Sequence, residues 1–235
     1  MSPASKTGHD ETGHDETGRG ETGRGETDRL IRHLARDAGT QRDRGAFSFD
    51  RMLFLVAALS LIVAVALTFL LFGIRADLLA TIRSAPFQHK VACTLALACG
   101  GFLLVRDAAR PGGTGRSLLA LLPGVALLAF GGATDASGLS VMGQSGISVP
   151  ICVGAIIVLS LPALAMTIGA LRMGASTRPA VAGATAGLLA GALGAAAYTV
   201  ACRNDGGLFV AIWYSAAILI VAGLGAAIGR RALTW

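Results

Sequence analysis

Six long runs of apolar residues, none containing a charged side chain, constrain the fold of this chain more than any other feature. They cover residues 52–74, 91–105, 117–134, 150–171, 179–201 and 208–229. Five runs are about 18 to 23 residues long, enough for a helix to cross a bilayer. The second reaches that length as 88–105, if the polar ends of His89 and Lys90 extend to the interface. The sequence therefore predicts an all-α membrane protein, a six-transmembrane-helix bundle in a domain covering residues 52–235.

The first fifty residues are of a different kind, because they hold eighteen charges and almost no large apolar side chains. Residues 7–26 are a five-residue repeat, Thr-Gly-His-Asp-Glu twice and then Thr-Gly-Arg-Gly-Glu twice. Such a tract has nothing with which to form a core, so we expect residues 1–26 to be a disordered, low-complexity tail.

The segment that follows the repeat has the pattern of a short amphipathic helix. Between Thr27 and Gly39, Leu30, Ile31 and Leu34 fall on one helical face. Thr27 suits a helix start and Gly39 suits its end. A helix this short is marginal alone in water, so the apolar face is expected to lie either on lipid or in a groove of a partner protein. The pattern alone favours neither.

The distribution of positive charges predicts which side of the membrane holds each loop. No apolar stretch precedes residue 52, so a secretory signal peptide is not expected. With the amino terminus in the cytoplasm, ten arginines lie near the inner face and four positive residues lie outside. Both termini are then cytoplasmic, and the protein belongs in the bacterial inner membrane. The net charge of +6 is better explained by lipid headgroups than by direct nucleic-acid binding.

This topology places two of the four cysteines, Cys152 and Cys202, at helix ends on the same outer face. Composition alone favours small, inert, buried residues there. Facing an oxidising compartment, the two thiols would instead form a disulfide or jointly bind a soft metal ion, provided the helix ends approach. Cys93 and Cys99 lie inside the second span, and no Cys-x-x-Cys motif is present.

Other residues near the spans have structural interpretations. The glycines of the fifth and sixth runs are spaced by four residues, which predicts close helix packing. An aromatic group near the outer interface has the composition of a lipid-facing belt. Its members are Tyr198, Phe209, Trp213 and Tyr214.

Enzymatic signatures are incomplete, and no cofactor is expected. Gly143-Gln-Ser145-Gly146 matches the serine motif of rhomboid proteases, but no histidine follows His89 to act as the base. No ionisable residue lies deep in an apolar run, which disfavours a small-solute or metal exporter. A membrane thiol–disulfide enzyme is disfavoured by the lack of a paired-cysteine motif. Both stay as alternatives to a non-enzymatic regulator.

The carboxy-terminal third carries a set of short motifs in a specific order. They are Cys152, Leu161-Pro162-Ala163-Leu164, Leu171-Arg172-Met-Gly-Ala175, Arg178-Pro179, Tyr198-Thr-Val-Ala-Cys202, Phe209-Val-Ala-Ile-Trp213-Tyr214 and Gly229-Arg-Arg-Ala-Leu-Thr-Trp235. Together with Arg75-Ala-Asp77-Leu and the Phe87 to Lys90 entry to the second span, this set resembles the NrsF family of six-span membrane anti-sigma factors. The resemblance covers roughly residues 27–235.

The resemblance implies a regulatory function with a protein partner. It implies that residues 27–51 dock an extracytoplasmic-function sigma factor, which maps onto Leu30, Ile31 and Leu34. It also implies that Cys152 and Cys202 sense heavy-metal or oxidative stress. The repeat at residues 7–26 has no counterpart in the family pattern. The chain also ends in Leu-Thr-Trp where the family commonly has Leu-Arg-Trp.

Overall fold

The computed structural model describes residues 17–110, 116–145, 147–174 and 178–233, with side chains described at 27–33 and from 49 onward except Arg116. All regular elements of this part of the chain are helical. They are α1 (Thr17–Leu71), α2 (Leu78–Thr81), α3 (Ala85–Ala108), a 3₁₀ segment (Arg116–Leu121), α4 (Leu122–Ala133), α5 (Ser148–Leu171), α6 (Pro179–Tyr198), α7 (Gly207–Phe209), a π-helical turn (Val210–Tyr214) and α8 (Ser215–Ala232).

Five of these helical stretches are long and apolar enough to cross a membrane. They are Phe49–Leu71 within α1, α3, α5, α6 and the continuous stretch Gly207–Ala232. The third predicted span differs from the expectation, because the apolar stretch Ser117–Ala133 is shorter and begins as a 3₁₀ helix. Pro123 in the first turn of α4 lacks an amide hydrogen, which suits a point where one helix type gives way to another.

Helix α1 begins further upstream and continues further than the sequence pattern indicated. It starts at Thr17, inside the repeat, and passes through Gly39, where we expected a helix end. A glycine costs a helix only about 1 kcal/mol relative to alanine, which does not by itself stop a chain that continues helically on both sides. The predicted disorder of residues 1–16 lies outside the described residues. The chain divides into two compact units, residues 1–48 and residues 49–235.

Within the second unit, α6 forms the centre of the bundle and packs against α3, α5 and α8. Two of its glycines face backbone atoms of α8. A Cβ atom on Gly183 would collide with the carbonyl oxygen of Gly225, and one on Gly187 with that of Val221. The predicted close packing of the two glycine-bearing helices is confirmed, and it leaves no space for larger residues.

The outer faces of the spans are apolar. Leu70, Leu79, Leu118 and Leu219 are among the many large hydrophobic residues that are exposed in the isolated chain. A soluble protein rarely exposes so much apolar surface, whereas a membrane domain presents such a surface to lipid.

Candidate functional site

The two cysteines predicted to share one face lie side by side. Cys152 is in the second turn of α5, and Cys202 lies four residues after the end of α6. Their sulfur atoms are 3.6 Å apart, and the residues are 3% and 2% exposed. The thiols are reduced and in hydrogen-bonding contact. Two residues fifty positions apart therefore form one buried thiol pair.

The loop that carries Cys202, residues 199–206, is held by two buried cations; we call it the Cys202 loop. The Lys90 ammonium donates to the carbonyl oxygens of Cys202 and Asn204, both at 3.1 Å. The Arg75 guanidinium donates to the same Cys202 carbonyl at 3.2 Å. Both cations thus bind the backbone of the Cys202 loop, and neither donates a hydrogen bond to the sulfur atom.

Two carboxylates balance these cations. Asp205 accepts from Lys90 at 2.9 Å and from Arg75 at 2.7 Å. Asp77 accepts a two-pronged contact from Arg75, at 2.9 and 2.8 Å. The Arg75 guanidinium holds the pKa of Asp77 well below its usual range, mainly through its hydrogen bond. Buried cations are stable only when paired and hydrogen-bonded in this way.

Lys90 differs from the sequence-based expectation that its ammonium would reach the interface. Its side chain is 1% exposed, and its ammonium also lies 5.7 Å from the centre of the Tyr214 ring. Two carbonyl oxygens, one carboxylate and a ring face replace the water that an ammonium group normally requires. Lys90 is therefore part of the site and does not act as a surface anchor.

Three residues of the expected lipid-facing aromatic belt are also inside the protein. Tyr198, Phe209 and Tyr214 are buried, so the belt prediction is wrong for them. Tyr198 and Tyr214 border the thiol pair, and the buried Tyr214 hydroxyl has no hydrogen-bond partner within the described part of the chain. Their rings pack among the buried apolar residues of the domain.

Cys202 is the more acidic position of the pair. The hydrogen bond from the Cys152 thiol lowers the pKa of Cys202, and the nearby Lys90 ammonium lowers it further, against the opposing effect of burial. A thiol with a lowered pKa is partly ionised at neutral pH, and the thiolate is the form that attacks oxidants and binds soft metals. Cys202 is therefore the candidate nucleophile, with Cys152 as the resolving thiol.

A cavity of about 460 Å³, with mostly apolar walls and a few polar groups, lies beside this cluster. His89, Lys90, Asp135, Ser137 and Asp205 contribute to its walls. It gives small solutes a route to the charged groups that hold the Cys202 loop. Among the residues with described structure, no group of three or more His, Cys, Asp or Glu side chains is placed to hold a metal ion. A metal at the thiol pair would use the two sulfurs and other ligands.

The other candidate residues lie elsewhere in the chain. Leu30 and Ile31 are on the part of α1 in the first unit and are 59% and 56% exposed. The side chain of Leu34 lies outside the described part. Cys99 is exposed on α3, and Cys93 is buried with its sulfur 3.3 Å from His89 Nε2.

Arg75, Lys90, Asn204 and Asp205 were not identified as site residues from the sequence. A signal for two of them was present, because Arg75 and Lys90 are among the four positive residues on the side where the topology rule expects few. Arg75 and Lys90 are buried and paired with carboxylates, whereas the other two, Arg83 and Arg203, are exposed. Asn204 and Asp205 gave no comparable signal.

Comparison with known proteins identifies the family. The sequence model of the NrsF family, described as negative regulator of sigma F, matches residues 34–235. The chain belongs to the NrsF family. The NrsF match begins at Leu34, so Leu30 and Ile31 precede it, whereas every residue of the thiol site lies inside it.

Two curated NrsF proteins are similar to this chain over most of its length. The anti-sigma-F factor NrsF of Caulobacter vibrioides is 34% identical over 218 residues, which cover 88% of this chain and 99% of that protein. The probable anti-sigma-F factor NrsF of Azospira oryzae is 32% identical over 174 residues, covering 70% of this chain and 80% of its own. No solved structure matches the chain.

Proposed function

We propose that this protein is an integral inner-membrane anti-sigma factor that holds an extracytoplasmic-function sigma factor at the cytoplasmic face. NrsF membership supports the regulatory class, since the family is described as a negative regulator of a sigma factor. The five long apolar helices support the membrane location. The protein acts by binding and release, without catalysis and without a resident cofactor.

A sixth crossing is provided by the 3₁₀ segment together with α4. Six residues at about 2.0 Å rise and twelve at about 1.5 Å extend over roughly 30 Å, which is the thickness of the hydrocarbon core. An even number of crossings puts both termini in the cytoplasm, as the arginine distribution favours. The sigma factor and the tail are then on the same side.

The sigma factor is bound by the apolar face of residues 27–51. Leu30 and Ile31 are exposed leucine-sized side chains on a helix, the arrangement by which a helix inserts into a partner groove. In the full-length protein, Leu30→Asp combined with Leu34→Asp is expected to free the sigma factor constitutively. A sigma-dependent promoter fusion and co-purification from detergent extracts measure this.

Arg29→Asp is the matched control, because it changes the net charge by the same two units on the opposite helical face. Repression that survives the double leucine substitution, or that Arg29→Asp abolishes equally, contradicts docking through this face.

Release is triggered at the thiol pair, and the observation that carries this part is the 3.6 Å separation of two buried sulfurs from different helical elements. Forming a disulfide removes two protons and two electrons from the thiols, and a hydrogen peroxide molecule that accepts them becomes two waters. A soft metal ion such as cadmium instead displaces the two protons and is held by both sulfurs. Either event changes the distance between Cys152 and the Cys202 loop.

Cys152→Ser and Cys202→Ser are each expected to abolish induction of the promoter fusion by peroxide, chromate and cadmium while leaving repression intact. Cys99→Ser is the control, because Cys99 lies on α3 away from the pair. Full responsiveness in both serine variants would rule out sensing by the pair but would leave the docking proposal standing.

A further inference from the structure

We infer that Arg75 couples the thiol pair to the tail, by fastening the Cys202 loop to the end of α1. This coupling rests on the proposed sensing function and names the element through which the signal leaves the site. Arg75 acts as a positioning residue, since it touches the backbone of the Cys202 loop and not the sulfur atoms.

The contacts of Arg75 join two parts of the chain that are far apart in sequence. Arg75 follows α1 by four residues. Its backbone amide donates to the Val200 carbonyl at 3.3 Å, and its guanidinium donates to the Cys202 carbonyl at 3.2 Å and to Asp205 at 2.7 Å. Its side chain is 5% exposed. The end of α1 is therefore fixed to three points along one loop.

A ring contact reinforces this connection one turn earlier. Phe72, the first residue after α1, packs edge-to-face on Tyr198, with ring centres 5.4 Å apart. Tyr198 ends α6 and borders the thiol pair. A displacement of the Cys202 loop thus reaches the end of α1 through both a hydrogen-bonded and an aromatic contact.

The membrane span of α1 is packed sparsely enough to move when the Cys202 loop moves. Only 22% of the residues in that span are buried, against 72% in α6. An apolar cavity of about 520 Å³ separates part of α1, at Phe54 and Ala57, from α3 and α6. At the far end, Asp50 pairs with Arg106 at 2.8 Å and Arg110 at 3.0 Å. Leu53, Ser60, Ala64 and Thr68 form a buried stripe along the span, so α1 packs against the bundle between its ends, with space to tilt only beside that stripe, at the cavity.

The alternative of sliding α5 along α6 is sterically unfavourable. A Cβ atom on Gly194 of α6 would collide with the Ser160 hydroxyl and lie 3.0 Å from the Ile156 carbonyl of α5. Backbones this close resist relative movement. To bond, the sulfurs must approach by about 1.6 Å, from 3.6 Å to the disulfide distance near 2.0 Å. The loop supplies this movement, Arg75 follows it, and the α1 span (Phe49–Leu71) tilts and carries the movement to the residues before Phe49 on the same helix.

The test compares Arg75→Gln with Arg203→Gln in the full-length protein in cells that carry the promoter fusion. Arg203 is exposed and adjacent to Cys202, so its substitution removes the same charge without breaking the connection. After peroxide treatment, the oxidised fraction of the pair is read by mass-tagged maleimide. We expect the same oxidised fraction of the pair in both variants and in the wild type. Induction of the promoter fusion is expected to be at least about fivefold smaller in Arg75→Gln alone.

Normal oxidation with full induction in Arg75→Gln overturns the coupling. Hydrogen exchange of the wild type in vesicles decides the question without any variant, including when Arg75→Gln fails to accumulate. Formation of the disulfide is expected to change exchange of backbone amides at both 72–77 and 49–53, and unchanged exchange at these positions overturns the inference. A fully oxidised wild type that does not release the sigma factor instead contradicts the proposed sensing function.

Discussion

The membrane span of α1 (Phe49–Leu71) and helix α6 lie in the same compact unit but are packed in opposite ways. Helix α6 is surrounded by three other helices, and its glycines bring backbones into direct contact. The α1 span buries only a narrow stripe of its residues and borders an apolar cavity. Close backbone contact specifies one arrangement, whereas sparse contact permits several of similar energy. The comparison indicates that α6 is the fixed frame of the domain and α1 its movable element.

The largest expected effect comes from disrupting the contact between α6 and α8. Gly187→Leu places a side chain where a single Cβ would already collide with the Val221 carbonyl of α8. Since the obstruction is backbone, the helices must separate, and we expect the protein to be lost from the membrane fraction. Immunoblotting of membranes measures this loss.

Gly223→Leu is the control for that substitution, because a Cβ atom on Gly223 of α8 meets nothing within 4 Å. We expect this variant to accumulate at wild-type levels. Equal accumulation of the two variants would show that α6 and α8 are not in fixed contact.

Removing the Lys90 ammonium is expected to have the next largest effect. Lys90→Met leaves Asp205 and the Cys202 carbonyl with only Arg75 and removes the ammonium donor of the Asn204 carbonyl, which we expect to destabilise the folded domain by about 3 kcal/mol. Thermal unfolding in detergent measures the loss. Arg83→Met, an exposed cation of the same region, is expected to have no such effect.

The same variant changes the pH dependence of thiol reactivity. The Lys90 charge lowers the pKa of Cys202, so its removal raises that pKa and decreases the thiolate fraction at neutral pH. Alkylation of Cys202, measured in a Cys152→Ser background for both proteins, should therefore need a higher pH in Lys90→Met. An unchanged pH profile would contradict a charge effect of Lys90 on the thiol.

A smaller effect is expected at the opposite end of α1. Asp50→Asn weakens the pairing with Arg106 and Arg110, whose side chains are about 40% exposed, so we expect a cost near 1 kcal/mol or less. Because this end of α1 joins the tail, we expect basal repression to weaken slightly even though the protein stays folded. Measurement of the uninduced promoter activity checks this weakening.

The smallest effect should come from filling the cavity beside α1. Ala57→Leu adds side-chain volume between α1 and α3 and restricts tilting, so we expect peroxide induction to decrease about twofold with repression unchanged. Ala66→Leu, on the exposed side of the same helix, is the control. An equal response in the two variants would mean that α1 does not move within this space.

The positions of the spans could be predicted from the sequence because hydropathy is a local property. The predicted runs 52–74, 150–171 and 208–229 agree with Phe49–Leu71, Ser148–Leu171 and Gly207–Ala232 within a few residues at each end. The sequence placed Cys152 and Cys202 at helix ends on one face, but their approach to 3.6 Å comes from the structure. The number of residues in the apolar run was a poor guide to the segment before α4. That segment is a 3₁₀ helix, which spans more distance per residue than an α-helix does.

The attachment of the Cys202 loop could not be predicted in this way. Arg75 and Cys202 are separated by 127 positions, and no periodic pattern relates them. The aromatic residues were placed at the lipid surface because Tyr and Trp are common there, whereas tertiary packing buries Tyr198 and Tyr214 beside the thiol pair. Contacts of this kind depend on how helices meet, which the composition of each helix does not record.

The Cys202 carbonyl accepts hydrogen bonds from both cations, and this has a consequence for how the proposed sensor can vary in sequence. Both cations donate hydrogen bonds to a main-chain oxygen, which every amino acid has. These hydrogen bonds therefore do not depend on the side chain at position 202. Under the proposed sensing function, the side chain at position 202 can therefore change while the contacts that hold its loop stay in place.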